Sequence, residues 1–96
     1  MQANSEIRSP EVDELLHVLA EMHDEDDIFA LLEDMFTIRE IRDTSQRLAV
    51  ARMLADGKSY AAIEKTTGAS ATTIARVSKC LAYGSGGYKK AISLLQ

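Results

Sequence analysis

His17, His23, Cys80 and the run Asp24-Glu25-Asp26-Asp27 are the side chains in this sequence whose chemistry could extend to metal binding or catalysis. Their spacing argues against both. The histidines stand six apart, off the i, i+4 interval that sets two imidazoles on one helical face, so they read as core or surface residues. The acidic run lacks the alternating oxygen ligands, central glycine and terminal glutamate of a calcium loop and reads as solvated carboxylates opening a helix. A single cysteine can neither close an internal disulfide nor supply the paired Cys/His spacing of a structural zinc site. Cys80 has no base at readable spacing and shares a helix with Val77 and Leu81, which predicts a packed thiol rather than a nucleophile. The expectation is a chain that is not an enzyme, with no catalytic residues, no metal and no cofactor.

Hydrogen-bonding chemistry is better placed. The segment SYAAIEKTTGASATTIARVSKCL over residues 59–81 carries consistent local signals. Ser59 can cap a short helix, Gly68 supplies the positive φ of a tight turn, and Ser70 can cap a second helix. Ile63, Ala69, Ile74 and Val77 are spaced to close a small core between the two. Ser70, Ala71, Thr72, Thr73, Ala75, Arg76 and Lys79 remain for an outer face. This is the build of a helix-turn-helix over residues 59–83, whose second helix would present its first turn to base edges in a major groove. Thr72 and Thr73 stand nearest the bases there. Their hydroxyls can bond either base type or a phosphate, and their methyls can touch a thymine methyl. Arg76 and Lys79 lie further along. With no long bidentate reader in the first turn, specificity is expected to come through water and DNA shape. The same spacing would also fit a helical hairpin that only packs. Glu64 sits where a small residue would let the helices approach, so either the helices splay or Glu64 points outward.

Charge supports a polyanionic partner once it is split by position. The net charge is −4, but residues 1–43 hold 13 acidic against 3 basic side chains, and residues 44–96 hold 2 against 8. The first part is −10 and the second +6. Only the local field near the phosphates has to be positive, so an acidic body joined to a basic face is compatible with DNA binding.

The elements that must position this segment are all helical. Ninety-six residues with 46% hydrophobic content suit one domain with a modest core, taken as residues 1–96 with a flexible arm over 1–8. Ser9-Pro10-Glu11 starts a helix, and Val12, Leu15, Leu16 and Leu19 give it one apolar stripe. The acidic run opens a second helix with Ile28, Leu31, Leu32 and Met35 as its stripe. Thr37 and Glu40 can form a capping box for a long third helix that Gly57 stops near Asp56. Its apolar residues, Ile38, Ile41, Leu48, Val50, Met53 and Leu54, occupy more than one stripe, so it needs neighbours on several sides. After the helix-turn-helix, Gly84-Ser85-Gly86-Gly87 breaks the chain before a last helix bearing Tyr88, Ala91, Ile92, Leu94 and Leu95. That stripe is too short to anchor stably in a membrane and is better suited to burial in a dimer. No stretch is long and apolar enough to span a bilayer and no leader is evident, so the expected location is cytoplasmic.

The stretch QRLAVARMLADG over residues 46–57, followed by Ile63-Glu64 and by GASATTIAR over residues 68–76, resembles the Trp repressor family and within it the YerC/YecD-type branch. The likeness runs from about Pro10 to Leu95. It implies an all-α fold of about six helices and an intertwined homodimer whose N-terminal and last helices build a shared core. Two recognition helices would then project to successive major grooves of double-stranded DNA at an operator or promoter.

The family's ligand pocket carries over only in part. Thr37, Arg47 and Arg76 match, the two arginines being those that flank the indole of bound tryptophan. Val77 stands where the family has a small glycine, and a branched side chain there would crowd an indole. Cys80 replaces a serine that helps receive the amino group, and Asp34 departs from the apolar pattern before Thr37. The resemblance therefore implies a pocket over Thr37, Arg47, Arg76, Val77 and Cys80 but argues against tryptophan as corepressor. Two function classes follow. One is a sequence-specific DNA-binding regulator acting as a repressor. The other is an interaction module whose helix-turn-helix contacts a protein, as region-4-like domains of sigma factors also do.

Overall fold

The computed structural model describes residues 7–96, and every described element is a helix. The chain folds as α1 (Pro10–Glu21), α2 (Glu25–Met35), α3 (Ile38–Ala55), α4 (Tyr60–Thr67), α5 (Ala71–Tyr83) and α6 (Gly87–Ser93). Side-chain caps close several of these helices, at Ser9, Thr37, Ser59 and Ser70 as read from the sequence and at Asp24, which the sequence offered only as part of the acidic run opening α2. Ser9 Oγ accepts from the Val12 amide at 3.1 Å with Pro10 in the first turn, and Asp24 Oδ1 accepts from Asp26 at 2.9 Å. At α3 the capping box is complete: Glu40 N–H donates to Thr37 Oγ1 at 3.1 Å, and Thr37 N–H donates to Glu40 Oε1 at 2.8 Å. These bonds satisfy donors that the first helical turn leaves without intrahelical partners.

The chain divides into two compact units, one up to Ile41 and one over Arg42–Gln96. In the first, α1 and α2 bury none of their residues. Leu16, Val18, Phe29, Met35, Phe36 and Ile38 are all exposed. Of the arm expected over residues 1–8, residues 1–6 lie outside the described residues. Arg8 Nη2 pairs with Asp13 Oδ1 at 2.8 Å, an exposed ion pair of the kind that contributes little to stability.

The second unit holds the core. Val50 and Ala51 of α3, Ile63 of α4, Ala69 of the turn, Ile74 and Val77 of α5 and Ile92 of α6 form one buried cluster, with Met53, Leu54, Leu81 and Tyr88 packed against it. Ile63, Ala69, Ile74 and Val77 are the four residues expected to close the helix-turn-helix. Two further elements complete the packing, because an eight-residue and a thirteen-residue helix alone offer too little apolar surface. The several stripes of α3 find a partial explanation here. Val50 and Ala51 close the core, while Leu48 faces open clefts.

Candidate nucleic-acid interface

The turn between α4 and α5 is held by bonds from three directions. Gly68, at φ +76°, ends α4 and donates its amide to the Glu64 carbonyl at 2.9 Å. Thr67 Oγ1 donates to the Ile63 carbonyl at 2.7 Å and accepts from the Ala69 amide at 3.1 Å. From α3, Gln46 Nε2 donates to the Thr67 carbonyl at 3.0 Å, a carbonyl that the end of α4 leaves without a helical donor. Gln46 entered the sequence reading only as the first residue of the stretch that carries the resemblance, with no role assigned to its side chain. A lone polar residue in a helix carries no local signal for a bond across 21 positions.

Ser59 Oγ caps α4 by accepting from Ala62 N–H at 3.1 Å, and Ser70 Oγ caps α5 by accepting from Thr73 N–H at 3.2 Å. Glu64 is exposed, so it points outward while α4 and α5 pack closely enough to bury Ile63 and Ile74 fully. On α5, burial selects one outer stripe. Thr72, Ala75, Arg76, Lys79 and Tyr83 are exposed at helical intervals, opposite buried Ile74 and Val77. Ser70 and Ala71 are exposed at its start, and Thr73 is half-buried. Of the seven residues expected at the outer face, six are exposed and Thr73 is half-buried. The stripe begins with small side chains and ends in two cations and an aromatic ring. It offers two cationic donors for phosphate and a first turn slim enough to enter a groove.

Of the five residues expected to form a ligand pocket, Cys80 lines a cleft of the second unit that Arg47, Arg76 and Val77 do not line. Val77 is 1% exposed and belongs to the core. Thr37 lies in the other unit, where its hydroxyl accepts from the Glu40 amide. Arg76 is exposed on the outer stripe of α5. Arg47 is half-buried and donates through Nη2 to Thr44 Oγ1 at 3.3 Å. Cys80 is exposed and lines an open cleft of about 530 Å³ with Thr44, Leu48, Gly84 and Tyr88. The packed thiol expected for Cys80 is therefore not found in the single chain. Cys80 shares a helix with Val77 and Leu81, but the core closes on Val77 and leaves Cys80 on the side of the cleft.

Both histidines are exposed. Among the described residues, no three His, Cys, Asp or Glu side chains are grouped as metal ligands require, and no helix is long and apolar enough to cross a membrane. The cleft draws on the glycine-rich break after α5, which read in the sequence only as a loop. Gly84 has a specific role there. A Cβ on it would stand 2.4 Å from the Cys80 carbonyl oxygen, so only glycine lets the chain leave α5 on this path.

The family described as Trp repressor protein matches residues 10–96. The chain belongs to the Trp repressor family. Among curated relatives, the uncharacterized protein YerC of Bacillus subtilis (strain 168) is 42% identical over 86 residues, which cover 90% of this chain and 83% of YerC. Two crystal structures superimpose with TM-scores of 0.91. One, of a candidate Trp repressor from Staphylococcus aureus, is 32% identical and covers 99% of this chain and 95% of its own. The other, a TrpR-like protein from Eubacterium eligens ATCC 27750, is 37% identical and covers 96% and 95%. Membership of the Trp repressor family makes the chain a helix-turn-helix, DNA-binding regulator at the level of the family. The all-α fold of the described residues is that of these Trp repressor-like structures.

Proposed function

We propose that this member of the Trp repressor family is a sequence-specific, cytoplasmic transcriptional repressor that binds double-stranded DNA as a homodimer and does not use tryptophan as corepressor. One observation carries the reading: the exposed stripe of Thr72, Ala75, Arg76 and Lys79 on a helix whose first turn is small, capped and joined to a hydrogen-bonded turn. Arg76 and Lys79 supply charge for phosphates. Ser70, Ala71, Thr72 and Thr73 enter the major groove and read base edges, largely through water and groove shape because none is a long bidentate donor.

The homodimer is supported by unsatisfied apolar surface. Two helices without a buried residue cannot offset the entropy of ordering them, and a second copy of the chain supplies the missing partner. Clefts along α3 that expose Leu48, Ala49 and Met53, and the open Leu94 and Leu95 near the last helix, extend that surface. Two-fold symmetry would then place two recognition helices on half-sites roughly one helical turn, about 34 Å, apart. Against tryptophan stands the burial of Val77, whose side chain fills the core. An effector pocket over Thr37, Arg47, Arg76, Val77 and Cys80 would have to be assembled in the dimer.

The test is selection of bound fragments from the source genome, with sedimentation of the free protein. Enrichment of a shared, roughly palindromic sequence and a dimer at micromolar concentration are expected. Retention of a protein partner without DNA enrichment would instead favour an interaction module, and a monomer would remove the symmetric reading.

A further inference from the structure

Tyr83 is the last residue of α5 and lies on the same exposed face as Thr72, Arg76 and Lys79. It is 82% exposed, more than any other large hydrophobic residue among those described. The helix is closed behind it, because Gly84 N–H donates to the Cys80 carbonyl at 2.8 Å, so Tyr83 keeps a fixed height on α5. Eleven positions separate it from Thr72, a rise of about 16 Å along the helix. A major groove is about 12 Å wide and about 8.5 Å deep. With the first turn of α5 on the bases, Tyr83 therefore stands past the groove whether the helix enters tip first or lies across it. Lys79 stands nearer the groove wall, and Tyr83 is one turn beyond it on the same face.

We infer that Tyr83 is a contact to the DNA backbone, its ring packed on a sugar and its phenol hydroxyl donating to a phosphate oxygen that flanks the base-reading site. The inference rests on the DNA-binding reading above and extends that face by one turn, with a side chain that adds no charge. An ester phosphate oxygen only accepts, and a phenol supplies the donor. The setting favours DNA over a second copy of the chain. Arg76 and Lys79 precede Tyr83 on its face by seven and four positions, and a self-complementary contact there would set these cations against their own copies.

An uncharged contact separates from a cationic one in its salt dependence. The experiment measures affinity of the full-length protein for fragments enriched from the genome over a salt series, comparing Tyr83→Phe, Tyr83→Ala and Lys79→Ala with wild type. Thermal melts of each are run alongside, and the exposure of Tyr83 predicts that its variants melt as wild type does. Tyr83→Phe is expected to lose about fivefold in affinity, the scale of one hydrogen bond, and Tyr83→Ala about tenfold or more, equally on every fragment. In both the salt slope should stay at the wild-type value, whereas Lys79→Ala makes it shallower by about 1. The chain contains no tryptophan, so Tyr83→Trp provides a single reporter. Its emission in the free protein is expected to be that of a solvent-exposed indole and to change when a bound fragment is added.

If Tyr83→Phe and Tyr83→Ala bind like wild type while Lys79→Ala is weakened, Tyr83 lies off the DNA, and the inference fails while the DNA-binding reading stands. A loss confined to certain sequences would place Tyr83 on a base, and reporter emission already blue-shifted in the free protein would place it between two copies. Either result overturns the inference. A wild-type protein that binds no DNA would overturn both readings.

Discussion

Gln46 Nε2 donates to the Thr67 carbonyl at 3.0 Å, tying the middle of α3 to the last residue of α4. The bond is partly buried and ends at the turn that sets the angle between α4 and α5. Gln46→Ala would leave that carbonyl without its donor and loosen the turn. A loss of about 1 kcal/mol is expected, or roughly 4–8 °C in melting temperature for a domain of this size. Thermal denaturation followed by circular dichroism reads it directly. An unchanged melt would show that water replaces Gln46 at no cost.

Two glycines are needed for different reasons, and alanine separates them. At Gly68 the backbone is left-handed, but an added Cβ would meet nothing closer than Gln46 Nε2 at 4.0 Å. Gly68→Ala should therefore cost only the backbone strain, about 1–2 kcal/mol. At Gly84 the φ of −82° is ordinary, but a Cβ would stand 2.4 Å from the Cys80 carbonyl oxygen. Gly84→Ala must displace main chain and should disturb the exit from α5 and the adjoining cleft. Amide exchange at Cys80–Gly84 is expected to speed up in Gly84→Ala and not in Gly68→Ala.

Val77 occupies a position where the family pattern has glycine, and the simplest way to look for a lost tryptophan site is Val77→Gly. Because Val77 is 1% exposed and packed in the core, the substitution removes a buried isopropyl group and adds a helix-interior glycine. Together these cost about 3 kcal/mol. Calorimetry with tryptophan should show no binding, alongside a melting temperature lower by roughly 10 °C or more. Tryptophan binding by a stable Val77→Gly protein would reverse the view of Val77 as a core residue.

The capping box at α3 predicts a pH signature. Hydrogen bonds from the Thr37 backbone, and then from its side chain, hold the Glu40 carboxyl below its ordinary value, against a smaller opposing effect of burial. A depressed folded-state pKa means stability that is present above the unfolded value and lost as pH falls through the folded one. Glu40→Gln keeps an oxygen for the Thr37 amide but removes the charge. The wild type should melt higher than Glu40→Gln at neutral pH, and the gap should close on acidification through the carboxylate range. A gap independent of pH would place the effect in geometry alone.

Much of this architecture could be read from the sequence because its signals are local. Ser9, Asp24, Thr37, Ser59 and Ser70 act within three residues of themselves, and Gly57 and Gly68 end helices through their own left-handed backbones. Gly57 does so in full, its amide bonding the Leu54 carbonyl and that of Lys58 the Met53 carbonyl. The core of α4 and α5 was legible for a related reason, since helical spacing fixes which residues of a hairpin face each other. What depends on distant chain was not. Gln46 gave no hint of Thr67, and Cys80 looked packed because spacing places it beside Val77 without saying where the core ends. The tight approach of Gly84 to Cys80 arises only once α5 has its observed exit. The outer stripe of α5 was visible as a set of residues, but the bond between the Ser70 and Thr73 hydroxyls needed coordinates.

The central claim, that the stripe from Thr72 to Lys79 lies against DNA, is tested most directly by the salt dependence of affinity for enriched fragments, wild type against Lys79→Ala. Each phosphate contact releases counterions, so the logarithm of affinity should fall steeply and linearly with the logarithm of salt concentration. Lys79→Ala should weaken binding about equally on all sequences and make the slope shallower by about 1. A wild-type affinity insensitive to salt, or a Lys79→Ala slope identical to that of wild type, would contradict this placement.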